Sequence, residues 1–379
     1  MHVLMPDAPA QAVTLRDRLL TWRDQLLASQ RFQRWAAAFP MTRGIAERRT
    51  RELFDLCAGF VYTQVLAACV ELDLFAILKH GPCDAAELAR RLNLPLAAMT
   101  RLLRAAQSLQ LVEGRSAGRV GLGPLGAALV GNPAIAAMVR HHRLFYDDLR
   151  NPVALLRGAQ PSTGLGTFWP YAGATEPTAV SVAPYSALMA ASLPLLVEDV
   201  LEAYSFAQHR CVLDVGGGLG GFVSAVLDRV PHLTGMLFDL PAVAESAGRQ
   251  LPDALQDRLA IHGGSFLTDR LPGGADLITL VRVVHDHEDA AVRHLLRAAW
   301  AALPPGGVLL IAEPMAAADA TDPVGDAYFG FYLAAMGSGR ARPPETLAGL
   351  LAEAGFVAPK LRRTRRPVLV RVMTGQRPL

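Results

Sequence analysis

The sequence contains little cysteine and no recognisable secretion signal. Its 379 residues include only four cysteines, Cys57, Cys69, Cys83 and Cys211, and no two of them form a CxxC pair. That number and spacing exclude a disulfide framework and oppose a structural zinc site. The first residues lack an apolar stretch behind a basic start, so no secretory signal is predicted. We therefore expect a cytoplasmic protein without a metal site.

Charged residues are also scarce, at 19% of the chain against 51% hydrophobic residues. This balance excludes a disordered or low-complexity protein and predicts a well-buried core. At roughly 150 residues per domain, the length predicts two domains, or one large domain with an appendage. The longest uncharged run, residues 177–197, reaches the ~20 residues that span a bilayer, but Pro184 and Pro194 oppose one continuous lipid-facing helix. We expect a loop there, followed by a buried helix.

The net charge is only +3, yet the basic residues gather at the two ends of the chain. Those near the start are Arg16, Arg18, Arg23, Arg31 and Arg34, interleaved with leucines and Trp35, and those near the end are Lys360, Arg362, Arg363, Arg365, Arg366 and Arg371. Such segments suit an anionic lipid surface or nucleic acid. We favour the alternative, a solvated helix face and a charged edge strand. Peripheral contact with the inner face of a membrane remains the second interpretation.

The N-terminal part follows the pattern of a winged-helix domain. Apolar residues at helical spacing predict a helix over residues 53–76, nearly uncharged between Asp55 and Glu71. A helix after Asp84 and another over residues 96–109 follow, and then two short strands flank a glycine-rich turn. Because a small domain alone would leave the first helix too exposed, we expect a homodimer.

A winged helix also suggests DNA binding, with residues 99–107 in the major groove. Only Arg101 and Arg104 are basic on that segment. Two arginines among apolar residues make too weak an electrostatic footprint for phosphate contacts. We therefore expect no nucleic-acid partner.

The chain changes pattern at Arg210, where short apolar runs begin to alternate with helical segments. The runs CVLDV, LTGMLFDL, DLITLVRVV and GVLLIAEP predict strands, and the segments between them predict helices. This alternation needs crossover connections and predicts a Rossmann-like, doubly wound α/β sheet. Ligands of such sheets bind at the carboxyl ends of the strands.

Acids and glycines stand at those strand ends. Asp214 belongs to the first strand, and Gly216, Gly218 and Gly221 follow it, where the backbone must turn sharply and come close to a ligand. The second strand ends in Asp239, where a carboxylate can accept two hydrogen bonds from ribose hydroxyls. The same glycine spacing serves nicotinamide dinucleotides, so the glycines alone do not identify the ligand.

Five motifs, which occur in a fixed order, identify the ligand more specifically than the glycines do. They are DVGGGLGGF, FDLPAV, RVVHDHED, PPGGVLLIAEP and LLAEAGF. With them the sequence resembles class I S-adenosylmethionine-dependent O-methyltransferases that carry an N-terminal winged-helix dimerisation domain. The resemblance covers about residues 50 to 375 and implies S-adenosylmethionine as the cofactor. The division it implies is a helical extension at 1–50, a winged-helix dimerisation domain at 51–135, a helical, substrate-lining connection at 136–200 and a methyltransferase domain at 201–379.

The resemblance also implies the residues that carry the reaction. His285 matches the family's general base, and a neutral imidazole suits that task near physiological pH. Glu313 matches a carboxylate that orients the ring and stabilises the imidazolium; the alternative is an acid on the cofactor side. His287 replaces the usual tryptophan and receives no catalytic role, and Ala341 stands where the family commonly has a second acid, which suggests an acceptor unlike an acidic phenol. The alternative for His285 is that it only caps the next helix together with Asp286.

Asp214 stands just before the glycines, where it can meet a cationic or amino-bearing ligand. The cofactor residues that the resemblance implies are Gly216 and Gly218 at the methionine end, Asp239 at the ribose with Leu240 beside it, Ser265 and Phe266 near the adenine, and Arg282 approaching the cofactor. Ser265 replaces the family's aspartate, so one charge-assisted contact is lost. For Arg282 the alternative is an ion pair at the sheet edge.

A more particular resemblance lies in LFDLCAGFVYTQVLAACVELDLF, RHHRLFYDDLRNPVALLRG, FWPYA and YFGFYLAAMGSGRAR. These segments look like those of the demethylspheroidene (hydroxyneurosporene) O-methyltransferases of bacterial carotenoid synthesis, which methylate a tertiary hydroxyl at the end of a long polyene. An apolar segment suits so hydrophobic a substrate, with ordinary core packing as the alternative; it contains Tyr328, Phe329, Phe331, Tyr332 and Met336. Two other functions stay open: a methyltransferase of the same fold acting on an aromatic hydroxyl or a chlorophyll-type ring carbon, and a winged-helix regulator that only senses a ligand.

Overall fold

The structure of the chain is a computed structural model that describes residues 14–160, 162–169, 179–318 and 322–379. It divides into two compact units, Met1–Ala127 and Ala128–Leu379. The elements of the first unit are α1 (Leu15–Ala28), α2 (Gln30–Ala38), α3 (Pro40–Glu71), α4 (Leu74–Leu78), α5 (Ala85–Arg91), α6 (Leu96–Ser108), β1 (Val112–Gly114) and β2 (Val120–Leu122). Helix α7 (Pro124–Val130) crosses the boundary between the units.

Helix α3 begins earlier than the sequence predicts, and it also ends earlier. It starts at Pro40, where a proline fits because the first N–H of a helix has no partner. It ends at Glu71, and the left-handed backbone of Asp73, with φ of 50°, separates it from α4. The expected domain boundary after residue 50 thus falls within one continuous helix. The four-part division of the chain stays a prediction.

The rest of the first unit agrees with the predicted pattern. Asp84 caps α5, since its side chain accepts a hydrogen bond from the backbone N–H of Glu87 at 2.8 Å. Helix α6 turns Met99, Leu103 and Ala106 inward and contacts α3 and α5. Strands β1 and β2 pair antiparallel. Three helices followed by a hairpin confirm the winged-helix pattern.

Most of α3 is exposed in the single chain. Only Ala67, Cys69 and Val70 of this helix are buried, whereas Leu56 and Phe60 are 81% and 71% exposed. By length and composition α3 could also cross a membrane, because its most apolar window has a mean hydropathy of 1.7 and is only 17% buried. An apolar face of this kind needs a cover in the assembled protein.

The second unit contains the alternating strands and helices that the sequence predicts from Arg210 onward. Its elements are α8 (Pro133–Asp148), α9 (Pro152–Leu156), α10 (Gly164–Phe168), α11 (Ala179–Ala203), β3 (Cys211–Val215), α12 (Gly221–Arg229), β4 (Thr234–Asp239), α13 (Pro241–Gln250), β5 (Leu259–Gly263), β6 (Leu277–Val281), α14 (Asp289–Ala302), β7 (Val308–Glu313), α15 (Gly330–Met336), α16 (Pro344–Glu353), β8 (Val357–Arg362) and β9 (Arg371–Gln376). A π-helix, Val324–Phe329, leads directly into α15.

A seven-stranded sheet forms the centre of this unit, in the order β5-β4-β3-β6-β7-β9-β8. Strands β3 to β7 are parallel, and β9 lies antiparallel between β7 and β8. Helices α14 and α16 pack on one face, and α11 and α12 pack on the other. This confirms the doubly wound fold. The chain order reverses between β3 and β6, which is where open α/β sheets bind their ligands.

Two strands of the sheet were not singled out by the sequence analysis. Strand β5 consists of LAIHG, a run too short and too polar to stand out. Strand β9 adds an antiparallel neighbour at the other side, and β8 forms the edge with Lys360 and Arg362 exposed or half-buried. A charged edge strand was expected there and discourages pairing with other chains. The predicted helix within residues 177–197 is part of α11, but the loop expected before it is wrong for the described residues, because α11 begins at Ala179 and continues through Pro184 and Pro194. Residues 177 and 178 lie outside the described residues.

Candidate active site

The turn after β3 is built from glycines with left-handed backbones. Gly216, Gly218 and Gly220 have φ of 68°, 62° and 77°. A Cβ on Gly216 would come within 2.8 Å of Cγ2 of Val283, so this position needs glycine for space as well as for conformation. Val283 precedes His285 by two residues. The glycine turn therefore packs directly against the segment that carries His285.

Asp214 lies beneath this turn. Its side chain is fully buried, and Oδ1 accepts a hydrogen bond from Oγ1 of Thr279 at 2.7 Å. A Cβ on Gly217 would lie 2.4 Å from Oδ2, which is buried without a hydrogen-bond partner among the described residues. Burial raises the pKa of Asp214 to about 7. The described contacts of Asp214 are with the sheet and the turn, and its contact with the cofactor stays a prediction.

Asp239 ends β4 beside the glycine turn. Its Oδ2 accepts a hydrogen bond from the N–H of Gly218 at 2.8 Å, and its Oδ1 accepts one from the N–H of Leu240 at 2.7 Å. Burial raises the pKa of Asp239 to about 6. Each carboxylate oxygen keeps a second lone pair, so two further donors can bind. The structure thus brings Gly218, Asp239 and Leu240 together in a cradle that fits a ribose diol.

Ser265 and Phe266 follow β5, at the edge of the sheet where the other parallel strands also end. The hydroxyl of Ser265 accepts a weak hydrogen bond from the N–H of Leu267 at 3.3 Å. The ring of Phe266 packs edge-on against that of His287, with centroids 5.1 Å apart. His287, which stands in the place of the family's tryptophan, is therefore part of the wall beside Phe266.

Arg282 reaches toward helix α11. Its left-handed backbone, with φ of 56°, ends β6 before the His-Asp pair. The guanidinium donates to Oγ of Ser192 at 2.7 Å and to the carbonyl of Met189 at 3.2 Å. These contacts attach the end of β6 to α11. The predicted approach of Arg282 to the cofactor stays a prediction.

His285 and Glu313 meet beyond neighbouring strands. Glu313 is the last residue of β7 and is fully buried, whereas His285 sits in a short 3₁₀ turn, Val284–Asp286, four residues after β6 rather than at the strand end itself. Oε2 of Glu313 accepts a hydrogen bond from the backbone N–H of His285 at 3.0 Å and lies 3.2 Å from its Nδ1. This arrangement leaves Nε2 as the ring atom directed away from Glu313.

A second carboxylate approaches that ring. Oδ1 of Asp286 lies 3.1 Å from Nε2 of His285, although it accepts no hydrogen bond among the described residues. Burial alone lowers the pKa of His285, but Asp286 and Glu313 outweigh burial and raise it to about 10. The expectation of a neutral imidazole near physiological pH is therefore wrong for this arrangement. Because Ala341 stands where the family commonly has a second acid, Glu313 is the acid that matches the family. Asp286 nevertheless places a second carboxylate beside the ring of His285.

The capping alternative for His285 is not supported. Helix α14 begins after Glu288, and no side chain caps it. His285 instead contacts Asp286 and Glu313. A general base needs such a carboxylate to orient its ring.

A buried arginine that the sequence analysis did not single out holds the turn that carries His285. Arg342 is 1% exposed, and its guanidinium donates to the carbonyls of Val284 at 2.9 Å and His287 at 2.7 Å. It also pairs with Asp289 at 2.8 Å. The backbone on both sides of His285 is fixed in this way.

An aromatic cluster begins beside the candidate base. The ring of Phe329, at the end of the π-helix, packs edge-on against His285 with centroids 6.3 Å apart. Breaks of this kind in helical geometry are frequent at functional sites. The cluster continues through Phe145, Phe168, Trp169, Tyr328, Phe331, Tyr332 and Met336. Residues 170–172 of the FWPYA segment lie outside the described residues.

Two histidines without a predicted role lie in this aromatic cluster. Nε2 of His141 is 2.6 Å from the hydroxyl of Tyr332, and Nε2 of His142 is 2.7 Å from the hydroxyl of Tyr328. Burial lowers the pKa of both histidines, that of His141 to about 4, and raises the pKa of Tyr328 to about 12. The cluster therefore contains neutral polar pairs in apolar surroundings. Because α8 and the π-helix are far apart in the chain and meet only in the fold, sequence spacing could not predict these histidine–tyrosine pairs.

Two protein families match the chain. An O-methyltransferase domain matches residues 146–357, and an O-methyltransferase dimerisation domain matches residues 54–132. The demethylspheroidene O-methyltransferase of Cereibacter sphaeroides is 42% identical, over 93% of this chain and 94% of its own. That of Rhodobacter capsulatus is 39% identical, over 99% of this chain and 94% of its own.

Solved structures share the fold. Human N-acetylserotonin methyltransferase in complex with SAM superposes with a TM-score of 0.72 at 24% identity, covering 87% of this chain and 98% of that chain. A SAH-bound methyltransferase of calicheamicin biosynthesis superposes with a TM-score of 0.74 at 24% identity, covering 88% and 98%. The matched dimerisation domain supports the predicted homodimer. With both domains matched in order, the chain belongs to the O-methyltransferase family whose catalytic domain follows a dimerisation domain.

Proposed function

We propose that this O-methyltransferase methylates a tertiary hydroxyl of an acyclic carotenoid, with His285 as the general base. The observation that carries the proposal is the contact of His285 with Glu313 on one side and with the aromatic ring of Phe329 on the other. Two relatives that match nearly the whole chain are named demethylspheroidene O-methyltransferases, which supports this class of acceptor.

S-adenosylmethionine is the methyl donor, and its sulfonium supplies an activated methyl group. A Cβ built on Gly218 meets nothing within 4 Å, so the turn offers open space for the methionine end beside Gly216. Asp239 would hold the ribose hydroxyls, because each of its carboxylate oxygens keeps a lone pair beside the hydrogen bond from Gly218 or Leu240. Ser265 and Phe266 are our candidates for the adenine.

His285 receives the proton of the acceptor hydroxyl at Nε2. Glu313 fixes the ring through Nδ1 and stabilises the imidazolium that forms. With its pKa raised to about 10, the ring must first release its Nε2 proton to solvent before Nε2 can accept the proton of the hydroxyl. Asp286, 3.1 Å from Nε2, must also turn away or give way to the hydroxyl. Its departure lowers the pKa of His285, since one of the two anions that favour the imidazolium is removed.

The acceptor pocket that we propose is the aromatic cluster beside His285. A tertiary alcohol is much less acidic than a phenol, so the alignment of its oxygen with the methyl carbon must contribute more than proton affinity. Tyr332 and Met336 are buried in the cluster, and Ala341 packs against it with a methyl group where the family commonly has an acid. Such a wall suits a polyene better than a charged substrate.

An acyclic polyene dissolves in lipid, so the enzyme has to meet its acceptor at a membrane. We therefore propose a homodimer that works as a peripheral protein at the inner membrane face.

The competing acceptor class is an aromatic hydroxyl. Mouse acetylserotonin O-methyltransferase is 30% identical over 85% of this chain and 87% of its own. The two demethylspheroidene O-methyltransferases are more identical to this chain than the mouse enzyme is, and the match covers a larger share of their length.

The experiment is methyl transfer from labelled S-adenosylmethionine to a panel of carotenoid tertiary alcohols, phenols and bacteriochlorophyllides. We expect label in the carotenoid alcohols. Label in phenols or tetrapyrroles alone would overturn the proposed acceptor. Tight cofactor binding in calorimetry, with no label in any acceptor, would instead indicate a ligand sensor.

A further inference from the structure

Helix α1 presents an apolar stripe to its surroundings. Leu15, Leu19 and Trp22 follow one another at spacings of four and three residues, which places them on one face of the helix. They are 75%, 59% and 63% exposed. No residue of α1 is buried, so nothing in the described part of the chain covers this face.

Helix α2 continues the exposed surface with aromatic rings. The rings of Phe32 and Trp35 lie 5.6 Å apart, and those of Trp35 and Phe39 are stacked at 5.1 Å. Trp35 and Phe39 remain 52% and 40% exposed. Each helix therefore contributes large apolar side chains, including a tryptophan, to the surface.

Arginines surround these side chains. At 100° of rotation per residue, Arg18 lies on one side of the α1 stripe, and Arg16 and Arg23 lie on the other. Nine arginines and four acidic residues occur in residues 14–53, a net charge of +5, although the whole chain carries only +3. The positive charge of the protein is thus concentrated where its apolar side chains are exposed.

This segment lies outside both matched families. The dimerisation domain begins at residue 54 and the O-methyltransferase domain at residue 146. The exposed Leu56 and Phe60 of α3 belong to the matched dimerisation domain, whereas the stripe on α1 does not. Placing the α1 faces of two copies against each other would also bring two copies of residues 14–39 together, each with five arginines and two acidic residues, which like-charge repulsion opposes.

We propose that α1 and α2 dock on the surface of an anionic lipid bilayer. The leucines and tryptophans enter the boundary between headgroups and acyl chains, and the arginines pair with lipid phosphates. A tryptophan is well suited to this depth because one edge of its ring is polar. That this surface brings the enzyme to a polyene in the membrane is an inference that rests on the proposed function. That it binds lipid is independent of the proposed function.

The test is co-sedimentation of the full-length protein with vesicles of phosphatidylcholine alone, or of phosphatidylcholine with one-third phosphatidylglycerol. We expect strong binding to the anionic vesicles only, and its loss in high salt. The double substitution Leu19→Ser with Trp22→Ser should weaken binding at least about tenfold. The triple substitution of Arg16, Arg18 and Arg23 by Gln should weaken it on the order of 100-fold at low salt.

Matched controls come from the second unit. Leu156→Ser changes a leucine that is 65% exposed, and Arg249→Gln changes an exposed arginine paired with Glu245. Both should bind vesicles as the unchanged protein does. Equal binding to zwitterionic vesicles, or full binding by the stripe variants, would overturn the proposal. So would loss of the dimer mass in the stripe variants, because a second copy would then cover this face.

Methyl transfer to a detergent-dispersed acceptor separates this inference from the proposed function. The stripe variants should retain that activity, since α1 and α2 take no part in the chemistry. If the unchanged protein binds anionic vesicles but methylates no carotenoid in detergent, the proposed acceptor is wrong and the lipid surface stands.

Discussion

Glu313 holds His285 at two points with one carboxylate oxygen. Oε2 accepts the backbone N–H of His285 at 3.0 Å and lies 3.2 Å from Nδ1 of the ring. Because β6 and β7 are neighbouring parallel strands, the sheet sets the spacing between the segments that carry the two residues. A ring fixed at Nδ1 has only Nε2 left for the acceptor. The geometry therefore assigns different tasks to the two ring nitrogens.

Replacing His285 by alanine tests the general base. We expect unchanged cofactor affinity and a catalytic rate lower by roughly 10²–10⁴, because only proton removal is lost. Single-turnover methyl transfer at saturating cofactor measures the rate, and calorimetry measures the affinity. His294→Ala, at an exposed histidine, is the control. An unchanged rate would mean that the enzyme works by alignment alone, with water taking the proton.

The two carboxylates around His285 make the activity depend on pH. With the pKa of His285 at about 10, the free enzyme carries an imidazolium near neutral pH, so kcat/KM should rise as pH rises toward that value. Asp286→Asn removes one anion, lowers the pKa and moves the rising limb to lower pH. Glu313→Gln should move it in the same direction and also reduce the maximal rate without abolishing activity, because the ring loses its orienting partner. Superimposable pH profiles would contradict this account.

The same pKa makes stability depend on pH. The pKa of His285 rises from 6.5 to about 10 on folding, so its contribution is complete below about 6.5 and is lost as pH rises to about 10. Urea unfolding at about pH 7 and about pH 9 should therefore show a lower unfolding free energy at the higher pH. His285→Gln should reduce this difference, whereas His294→Gln should not. An equal pH dependence in both variants would show that other groups cause it.

Much of the fold could be predicted from sequence, because each signal was local. Alternating apolar runs and helical segments predicted the doubly wound sheet with Asp239 at a strand end, whereas the resemblance to the O-methyltransferase family implied Glu313. The environment of His285 could not be predicted in this way. Its pKa depends on Asp286 turning toward Nε2, and sequence order alone does not show that orientation.

The support of the candidate base was also hidden in the sequence. Arg342 belongs to the segment RARPP, where nothing marks it as buried. Only the folded chain brings its guanidinium to the carbonyls of Val284 and His287. Contacts between residues more than fifty positions apart leave no periodic signal, unlike an amphipathic helix.

Asp239 is expected to bind the cofactor in its ionised form. Asp239→Ala should weaken S-adenosylmethionine binding by about 1.5–3 kcal/mol, the scale of hydrogen bonds to a charged group. Because the pKa of Asp239 is about 6, affinity should also fall as pH drops below that value. Calorimetry over this pH range checks both effects, with the exposed Asp257→Ala as the control. Unchanged affinity in a folded Asp239→Ala protein would refute the assignment.

The exposed face of α3 should form the dimer. Leu53, Leu56 and Phe60 lie on one side of this helix and are 65%, 81% and 71% exposed in the single chain. A carboxylate at Leu56 or Phe60 would be buried without a partner in the interface, which is strongly unfavourable. Light scattering should therefore give a dimer mass for the unchanged protein at micromolar concentration and a monomer mass for Leu56→Glu with Phe60→Glu. Leu156→Glu, on the second unit, should leave the dimer intact. A monomer mass for the unchanged protein would show that this face is covered in another way.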